Sequence, residues 1–398
     1  MGEPCAGAGK IMHMCSPKEI LPWWQQLLCT LCICACMTLA GCGGKHPETP
    51  QLPVPPQAPP VDRQESAERF STFLHPANQE LWSWREMAPT VRKSLAYVKN
   101  KSPQALAMNR PGLRITYGEM AHTLTRLLTL LPLLDQDASL FMKNFEWIPI
   151  TGGIRYSGYY EPVLRASRTC KPGYEQPLYM RPPDLDAYIA RHGRYYSRAE
   201  IENNGVLAGK GLELAWVADP VASFMMEIQG SGRLAFDDGT EAFVNYAGQN
   251  KHKYKALGRL MRERGLVRHG DIVEIKEWLR RNPSRRREIL NLNPSYVFFR
   301  FGSRGPTGAM GAVVDDWMSL AVDRTFIPLG AVVGYGVNLR DVHGTTPLRG
   351  IGFAQDVGGA IKRNRIDIFC GDSPRAEHVA SYLDAAGPAW ILRAKTGK

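Results

Sequence analysis

The chain has 398 residues, a length that predicts two or three folding units. Hydrophobic residues make up 44% and charged residues 22%, which excludes a disordered or fibrous chain because this is the composition of a globular protein with a core. The net charge of +11 at pH 7 favours an acidic partner (nucleic acid, an anionic membrane surface or another anionic polymer) and does not choose among them.

Residues 1–41 have the pattern of a bacterial lipoprotein signal peptide. The apolar run LLCTLCICACMTLA follows two lysines and is too short to span a bilayer comfortably. The segment LAGC that ends at Cys42 resembles the lipoprotein box, in which the cysteine thiol accepts diacylglycerol. The alternative is a signal peptide followed by an incidental cysteine. We predict lipidation of Cys42, and the absence of aspartate directly after it favours the outer membrane.

Residues 42–65 are predicted to be a tether. Their sequence includes HPETPQLPVPPQAPPV, and such proline-rich segments are extended and semi-rigid. Beyond Cys42 the sequence has only Cys170 and Cys370, which have no metal-ligand spacing. They either pair in an oxidising compartment or remain separate buried thiols.

The hydrophobic pattern divides the rest of the chain into four stretches. Apolar residues at three- and four-residue spacing predict helices over residues 66–144. From Trp147 apolar and polar residues alternate, and most of residues 148–254 are predicted to be short strands. Residues 254–290 form a basic helical block, whose arginine run we interpret as a solvated helix face rather than a nucleic-acid site. Short strands return from residue 293 to the end.

Common catalytic motifs are missing from the sequence. It contains no phosphate-binding loop, no HExxH and no GxSxG, and its nine histidines do not cluster at metal-ligand spacing. We therefore predict no metal, no cofactor and no nucleic-acid partner. What remains is a set of carboxylates inside strand-like runs.

Three such carboxylates lie near the C-terminus: Asp323 in SLAVDRTFIPLG, Asp356 in FAQDVGG and Asp367 in RIDIF. Aspartate is a poor strand residue, so its place inside apolar runs is notable. Partial desolvation raises the pKa of a carboxyl group and suits it to general acid catalysis. The alternative, strongest for Asp323 and weakest for Asp367, is that these side chains brace turns or backbone amides.

The region from Gly158 to Lys398 resembles the membrane-bound lytic murein transglycosylase A family. The motifs that carry the resemblance occur in order: GYYEPVLRAS, ELAWVADP, IQGSGRL, NYAGQN, NPSYVFFR, SLAVDRTFIPLG and AQDVGGAIKRNRIDIFCGD. The last two look like the family's three-aspartate segment, matched here by Asp323, Asp356 and Asp367.

The resemblance implies a mainly β fold with N-terminal helices. Residues 66–160 and 291–398 would form a double-psi β-barrel catalytic domain, similar to barwin and to a group of endoglucanases. Residues 161–290 would form a smaller β-barrel inserted into it, with a substrate groove between the two. One family position departs from the pattern: glycine is common where this chain has Arg363, which would be strained if φ is positive there.

The resemblance also implies an activity on peptidoglycan. Asp367 matches the family's catalytic acid and base, with Asp356 as a supporting carboxylate. The enzyme would cleave the β-1,4 bond between N-acetylmuramic acid and N-acetylglucosamine and form 1,6-anhydro ends without water. The residues expected to contact the glycan are Tyr159, Tyr160, Gln229, Ser231, Tyr246 and Asn250.

Two other functions stay open at this point. A hydrolase with the same barrel would use a second carboxylate to activate water. A non-catalytic lipoprotein that binds murein would need no strand-embedded aspartates. In each case we expect a monomer on the periplasmic face of the outer membrane.

Overall fold

The computed structural model describes residues 58–396. The predicted signal peptide, Cys42 and the first part of the predicted tether lie outside the described residues. Within residues 58–396, no helix combines the length and the apolar character that crossing a bilayer requires. Cys170 is exposed and Cys370 is buried, and the two do not form a disulfide.

The helices begin after capping residues that are visible in the sequence. Thr116, for example, forms a reciprocal capping box with Glu119 at the start of the long third helix. The α-helices within the described residues are α1 Ala67–Ser71, α2 Ala88–Lys99, α3 Tyr117–Leu134, α4 Leu140–Asn144, α5 Leu185–His192, α6 Arg198–Glu202, α7 Pro220–Gln229, α8 Leu257–Glu263, α9 Ile272–Arg281, α10 Arg286–Leu290 and α11 Pro374–Tyr382. Short 3-10 helices occupy Pro76–Gln79, Trp84–Met87 and Pro283–Arg285.

The other regular elements of residues 58–396 are β-strands. In the described part of the chain they are β1 Leu106–Arg110, β2 Leu113–Thr116, β3 Phe145–Pro149, β4 Ile154–Tyr159, β5 Val163–Ser167, β6 Gln176–Tyr179, β7 Glu213–Val217, β8 Ser231–Phe236, β9 Glu241–Gln249, β10 Val297–Gly302, β11 Ser319–Val322, β12 Val332–Asp341, β13 Gly344–Asp356, β14 Arg365–Phe369, β15 Asp384–Gly387 and β16 Ala389–Ala394.

The larger sheet has eight strands in the order β15-β4-β14-β11-β13-β12-β16-β3. Its pairs are antiparallel except β11 with β13 and β14 with β4, which are parallel. A second sheet has six strands in the order β10-β9-β8-β5-β7-β6, with β5 and β8 parallel. Among the described strands neither sheet closes on itself, and β1 and β2 form a separate hairpin.

Hydrophobic packing follows the two sheets. One large core collects buried side chains from residues 67–160 and 317–394, including a contact network of Phe70, Trp147 and Trp390. Gly334 makes room for this network, since a Cβ there would lie 2.4 Å from the Trp147 ring. Residues 164–299 supply three separate smaller cores.

Several predictions from the hydrophobic pattern are confirmed. The basic block of residues 254–290 contains α8, α9 and α10. The strand-like runs of the C-terminal part form β10, β11, β12, β13, β14 and β16. The chain also changes from helix to strand at residue 145, close to the predicted position.

Other predictions from the pattern are wrong. The stretch 66–144 is not wholly helical, because Pro111 and Gly112 form the turn of the β1-β2 hairpin, with φ of +75° at Gly112. The stretch 148–254 contains α5, α6 and α7, although Asp219 followed by Pro220 is a recognisable helix start. The pattern also missed α11 and β15 in the last stretch.

The end of the predicted tether is packed onto the larger sheet. Val61 is buried, and its amide and carbonyl both bond to the side chain of Asn338, at 2.7 and 2.9 Å. Arg349 donates to the carbonyl of Pro59 and forms a buried ion pair with Glu65 at 3.3 Å. Residues 59–65, which the sequence assigns to the tether, therefore contact the folded body through one buried valine and two polar anchors.

Candidate active site

Strand β11 brings two of the three strand-embedded aspartates onto one face of the larger sheet. Ala321 pairs with Asp367 of β14 on one side and with Asp356 of β13 on the other. Residues directly opposite one another in neighbouring strands point to the same face. With strands about 4.8 Å apart, the backbones of Asp356 and Asp367 lie about 10 Å apart and their carboxylates face a common space.

Asp367 is half-buried and lies next to a hydroxyl group. Ser157 of β4 donates a 2.7 Å hydrogen bond to Oδ1 of Asp367, and Arg365 Nε donates to the same hydroxyl at 3.3 Å. Burial and, to a smaller extent, the charge of Asp356 raise the pKa of Asp367 to about 6, although the bond from Ser157 and the charge of Arg365 oppose the shift. Asp367 can therefore hold a proton near neutral pH and release it, as an acid-base catalyst must.

Replacing Ser157 by alanine should move the alkaline limb of the pH profile of kcat/KM upward. As a general acid Asp367 would start protonated, so activity would fall as pH rises through its pKa of about 6. The Ser157 hydroxyl stabilises the carboxylate form, and its loss raises the pKa, by about one unit if the bond is an ordinary charge-assisted one.

Ser157→Thr is the matched control for this prediction because it keeps the hydroxyl, and its pH profile should follow the parent. A profile of Ser157→Ala that stays in place, or moves downward, would show that the hydroxyl does not act on the protonation of Asp367.

Asp356 is held by three donors. Its Oδ1 accepts from the amides of Ala309 and Val357 at 2.9 and 2.8 Å, and its Oδ2 accepts from the Tyr159 hydroxyl at 3.1 Å. Burial raises the pKa of Asp356 although all three bonds oppose the shift. Fixed donors of this kind keep a carboxylate in one orientation, which suits a supporting role more than proton transfer.

Asp323 has a different environment from the other two aspartates. Its Oδ2 accepts from the amide of Arg363 at 2.8 Å, and its Oδ1 accepts from the hydroxyl and amide of Thr325. These bonds, that from Arg363 foremost, lower the pKa of Asp323 to about 2. Asp323 was predicted to be catalytic, but in this geometry it is ionised and braces the loop that precedes β14.

The loop position that departs from the family pattern does have positive φ. Arg363 adopts φ of +54°, where glycine would be unstrained, and its amide is the donor to Asp323. The hydrogen bond to the Asp323 carboxylate therefore offsets part of the conformational strain of an arginine with positive φ.

Tyr159 and Tyr160, both expected to contact the glycan, face opposite sides of the chain. Tyr159 lies between the two aspartates, bonds to Asp356 and packs on Phe369 with ring centroids 5.1 Å apart. Burial raises the pKa of Tyr159 well above its usual value, so the hydroxyl stays a donor. Tyr160 is buried and its hydroxyl bonds to Glu377, away from the aspartates.

The remaining expected glycan contacts lie on β8 and β9 of the six-stranded sheet or next to the ends of these strands. Gln229 accepts from the amide of Tyr160 at 3.1 Å, and Ser231 begins β8 opposite Asn245. Tyr246 is 47% exposed, which leaves its ring open to a ligand. Asn250 is fully buried, and its side-chain amide makes hydrogen bonds to the backbone of Tyr196, Pro294 and Tyr296. In this geometry the side chain holds the backbone together and does not face a ligand.

Two groups in this region were missed by the sequence reasoning. Ser157 is one, and its two-residue spacing from Tyr159 along a strand was the available signal. The other is Glu161, the next residue in that alternation, whose carboxyl is buried and has its pKa raised by that burial to about 7. Arg233 of β8 lies 3.6 Å from Glu161 and 2.6 Å from Asp372, and so links the two sheets beside the aspartates.

No metal is needed to explain these contacts. Across residues 58–396, no group of three or more histidine, cysteine, aspartate or glutamate side chains is arranged to hold a metal ion. The chemistry that the site can perform with its own residues is proton transfer by a carboxyl of raised pKa, next to a second, fixed carboxylate.

Family models and curated relatives match parts of this chain. Residues 155–300 match the family described as the MltA specific insert domain, and residues 318–393 match the 3D domain. The chain is 36% identical over 255 residues to the membrane-bound lytic murein transglycosylase A of Escherichia coli (strain K12), a match that covers 62% of this chain and 67% of that protein. The protein of the same name in Vibrio cholerae is 34% identical over 250 residues, covering 61% and 66%.

A solved structure is similar over most of its length. The crystal structure of Escherichia coli MltA with bound chitohexaose matches with a TM-score of 0.65 and 28% sequence identity. The match covers 78% of this chain and 90% of that chain. The mainly β fold with helices is therefore shared with that structure.

Proposed function

The chain belongs to the membrane-bound lytic murein transglycosylase A family, and from that premise we propose that Asp367 is the acid and base with which it cuts glycan strands. The protein is a lytic transglycosylase that acts on peptidoglycan. The observation that carries the assignment of Asp367 is its half-buried carboxyl, whose pKa is raised to about 6 beside a second carboxylate.

In the first step, protonated Asp367 donates its proton to the glycosidic oxygen between N-acetylmuramic acid and N-acetylglucosamine. The C1–O bond breaks with its electron pair going to that oxygen, and an oxocarbenium-like state develops at C1. Asp367 is left as a carboxylate. The fixed carboxylate of Asp356 supports the positive charge at C1 by its field.

In the second step, the Asp367 carboxylate takes the proton of the C6 hydroxyl of the same muramic acid. The C6 oxygen forms a bond to C1 and closes the 1,6-anhydro ring. The proton balance returns Asp367 to its starting form, so one residue serves both steps and no water is consumed. Acid-base catalysis of this kind contributes about 10²–10⁴ in rate.

The glycan is proposed to lie in a groove between two domains. Residues 66–160 with 291–398 would be the catalytic domain and residues 161–290 the insert. The separate hydrophobic cores of residues 67–160 with 317–394 and residues 164–299 support a division into two domains, but β10 pairs with β9 and packs with the insert, so the second boundary is proposed to lie after β10. Tyr246, Ser231 and Gln229 are the candidates to contact sugars from the insert side. The relative with bound chitohexaose is a precedent for an oligosaccharide in this family.

The catalytic domain is proposed to be a double-psi β-barrel. Support comes from the point where β15 passes β12: the amide of Gly336 donates to the carbonyl of Pro388, and a Cβ on Gly387 would lie 2.0 Å from the Gly336 carbonyl oxygen. The edge strand β15 thus lies against the middle of β12, which is the kind of crossing that a closed barrel would use.

Membrane attachment is proposed to depend on lipidated Cys42. The relatives are named membrane-bound, which supports association with a membrane. The outer membrane, its periplasmic face and a monomeric state remain predictions from the sequence.

The test of the proposed function is incubation of the purified protein with sacculi, followed by mass spectrometry of the soluble fragments. We expect muropeptides with 1,6-anhydro ends, because the attacking oxygen belongs to the substrate. Reducing-end fragments one water heavier would make the protein a hydrolase. Binding to sacculi without release of fragments would make it a non-catalytic murein-binding protein.

A further inference from the structure

A basic cleft lies behind the strand that carries the catalytic contacts. Its volume is about 280 Å³, and its charged and aromatic lining comprises Tyr160, Asp219, Lys276, Arg280, Arg286 and Glu377. The rest of the wall is mainly apolar and comes from β5 and α7. The volume is just below the range of about 300–1,000 Å³ that is typical of small-molecule sites, so the cleft fits part of a larger ligand.

The cleft lies at the edge of the most basic part of the chain. Residues 254–290 carry eleven lysines and arginines and five aspartates and glutamates, so they supply more than half of the net charge of +11. Lys276 is paired with Glu377 at 2.5 Å and Arg280 with Glu277 at 2.9 Å. Within residues 58–396, Arg286 makes no ion pair.

Arg286 is positioned by the backbone rather than by a carboxylate. Its Nε donates to the carbonyl of Leu279 at 2.8 Å, and its Nη2 donates to the carbonyl of Arg280 at 3.4 Å. Both acceptors belong to the last turn of α9, so the guanidinium is held at a helix C-terminus. Its position is fixed while its charge is not neutralised, which is the condition for binding an anion with little loss of conformational freedom.

The cleft is close to the catalytic aspartates along the chain. Tyr160 lines it, whereas the preceding residue, Tyr159, bonds to Asp356. Successive residues of an extended chain point to opposite sides, so the cleft and the aspartates lie on opposite sides of one strand end. Four extended peptide residues span about 13–14 Å, the reach that a peptide attached to a sugar in the groove would have.

We propose that this cleft binds a carboxylate of the stem peptide that muramic acid carries, with Arg286 and Arg280 as the recognising groups. The inference rests on the proposed function, since it takes the glycan strand of peptidoglycan as the ligand of the groove. The stem peptide is an anion attached to the sugar at the cleavage site, and the guanidinium of Arg286, which makes no ion pair within residues 58–396, is the charge in the cleft that is available to bind it. The enzyme would then favour strands that carry peptides over bare glycan.

The test compares two substrates: peptide-bearing glycan strands and the same strands after enzymatic removal of the peptides. The full-length protein is compared with Arg280→Gln/Arg286→Gln and with the exposed control pair Arg281→Gln/Arg287→Gln, which removes the same charge as the cleft pair. We expect the cleft pair to lower the ratio of kcat/KM for peptide-bearing over bare strands about tenfold, the effect of one charge-assisted hydrogen bond. The control pair should keep the parental ratio.

An equal change in both pairs, or no change in either, would overturn the proposal and assign any effect to net charge. Arg280→Gln alone is the second variant, because Arg280 is exposed and its loss leaves the backbone contacts of Arg286 in place. Thermal unfolding of each variant shows that it is folded.

Titration calorimetry of the parent with the isolated stem peptide separates this proposal from the proposed function. Binding that the cleft pair abolishes supports the cleft even if no strand is cleaved, in which case only the proposed function falls. Cleavage of strands without any binding of the peptide overturns the cleft alone. Loss of binding to phosphatidylglycerol vesicles in the cleft pair, without loss of peptide binding, would assign the site to lipid phosphate instead.

Discussion

Replacing Asp367 by asparagine should lower kcat for release of anhydro-muropeptides by about 10²–10⁴-fold. Asparagine keeps the size of the side chain and can still accept the hydrogen bond from Ser157, but it cannot give up or take a proton at this pH. KM should change little, because the carboxyl acts on the leaving oxygen and not on the rest of the strand. The measurement is the initial rate on purified sacculi, with chromatographic quantification of anhydro products.

The matched control for Asp367→Asn is Asp186→Asn, which makes the same change on the exposed side of α5, where Asp186 pairs with Arg181. It should retain the parental rate. If Asp367→Asn also kept the parental rate and formed the same anhydro product, the acid-base role would belong to another carboxyl, with Asp356 as the nearest in the sheet.

Replacing Arg198 by methionine should lower the free energy of unfolding by about 3–5 kcal/mol, the cost of leaving a buried carboxylate unpaired. The side chains of Arg198 and Glu227 are 2% and 3% exposed, and they form two hydrogen bonds of 2.9 and 2.7 Å. Arg198 also donates to the carbonyls of Asn293 and Ser295, the segment that leads into β10. Urea titration followed by tryptophan fluorescence measures the loss.

Arg194→Met is the control for this prediction, because Arg194 is exposed and lies only four residues away. Its unfolding midpoint should be close to that of the parent. A loss for Arg198→Met no greater than that of the control would mean that Glu227 is neutral in the folded protein and needs no partner. Since α7, which carries Glu227, ends at Gln229 beside Tyr160, a large loss is expected to be accompanied by lower activity.

The sequence allowed prediction of the elements whose residues show a regular pattern. The strands that hold Asp356 and Asp367 were visible because each is an apolar run interrupted by one carboxylate, and a polar group in such a place needs a reason. The positive φ at Arg363 was also predictable, since the position where the family has glycine is often one that needs it. These features depend on local chemistry, so the sequence alone is enough to predict them.

The roles of individual side chains depended on contacts between distant residues. Ser157 and Asp367 are 210 positions apart, and only the parallel pairing of β4 with β14 shows that they touch. Asn250 and Tyr160 match the family motifs equally well. However, the side chain of Asn250 makes hydrogen bonds to the backbone, and Tyr160 lines the basic cleft. Asp323 likewise looked similar to Asp356 until its two bonds to the loop backbone became visible.

The Pro59–Glu65 segment illustrates a further limit of composition. Proline-rich sequence predicts an extended chain, but it does not say whether that chain lies free or against a surface. Here the partners are Asn338 and Arg349 in the middle of the larger sheet, nearly 300 residues away. No local pattern could have indicated that contact.

The central claim is that the attacking oxygen comes from the substrate and that Asp367 transfers both protons. The most direct measurement is digestion of sacculi by the parent protein in ¹⁸O-labelled water, followed by mass spectrometry of the released muropeptides. The account predicts anhydro ends that carry no label and weigh one water less than reducing-end fragments. Reducing ends that carry ¹⁸O would contradict it, because they would show that water and not the C6 hydroxyl attacks C1.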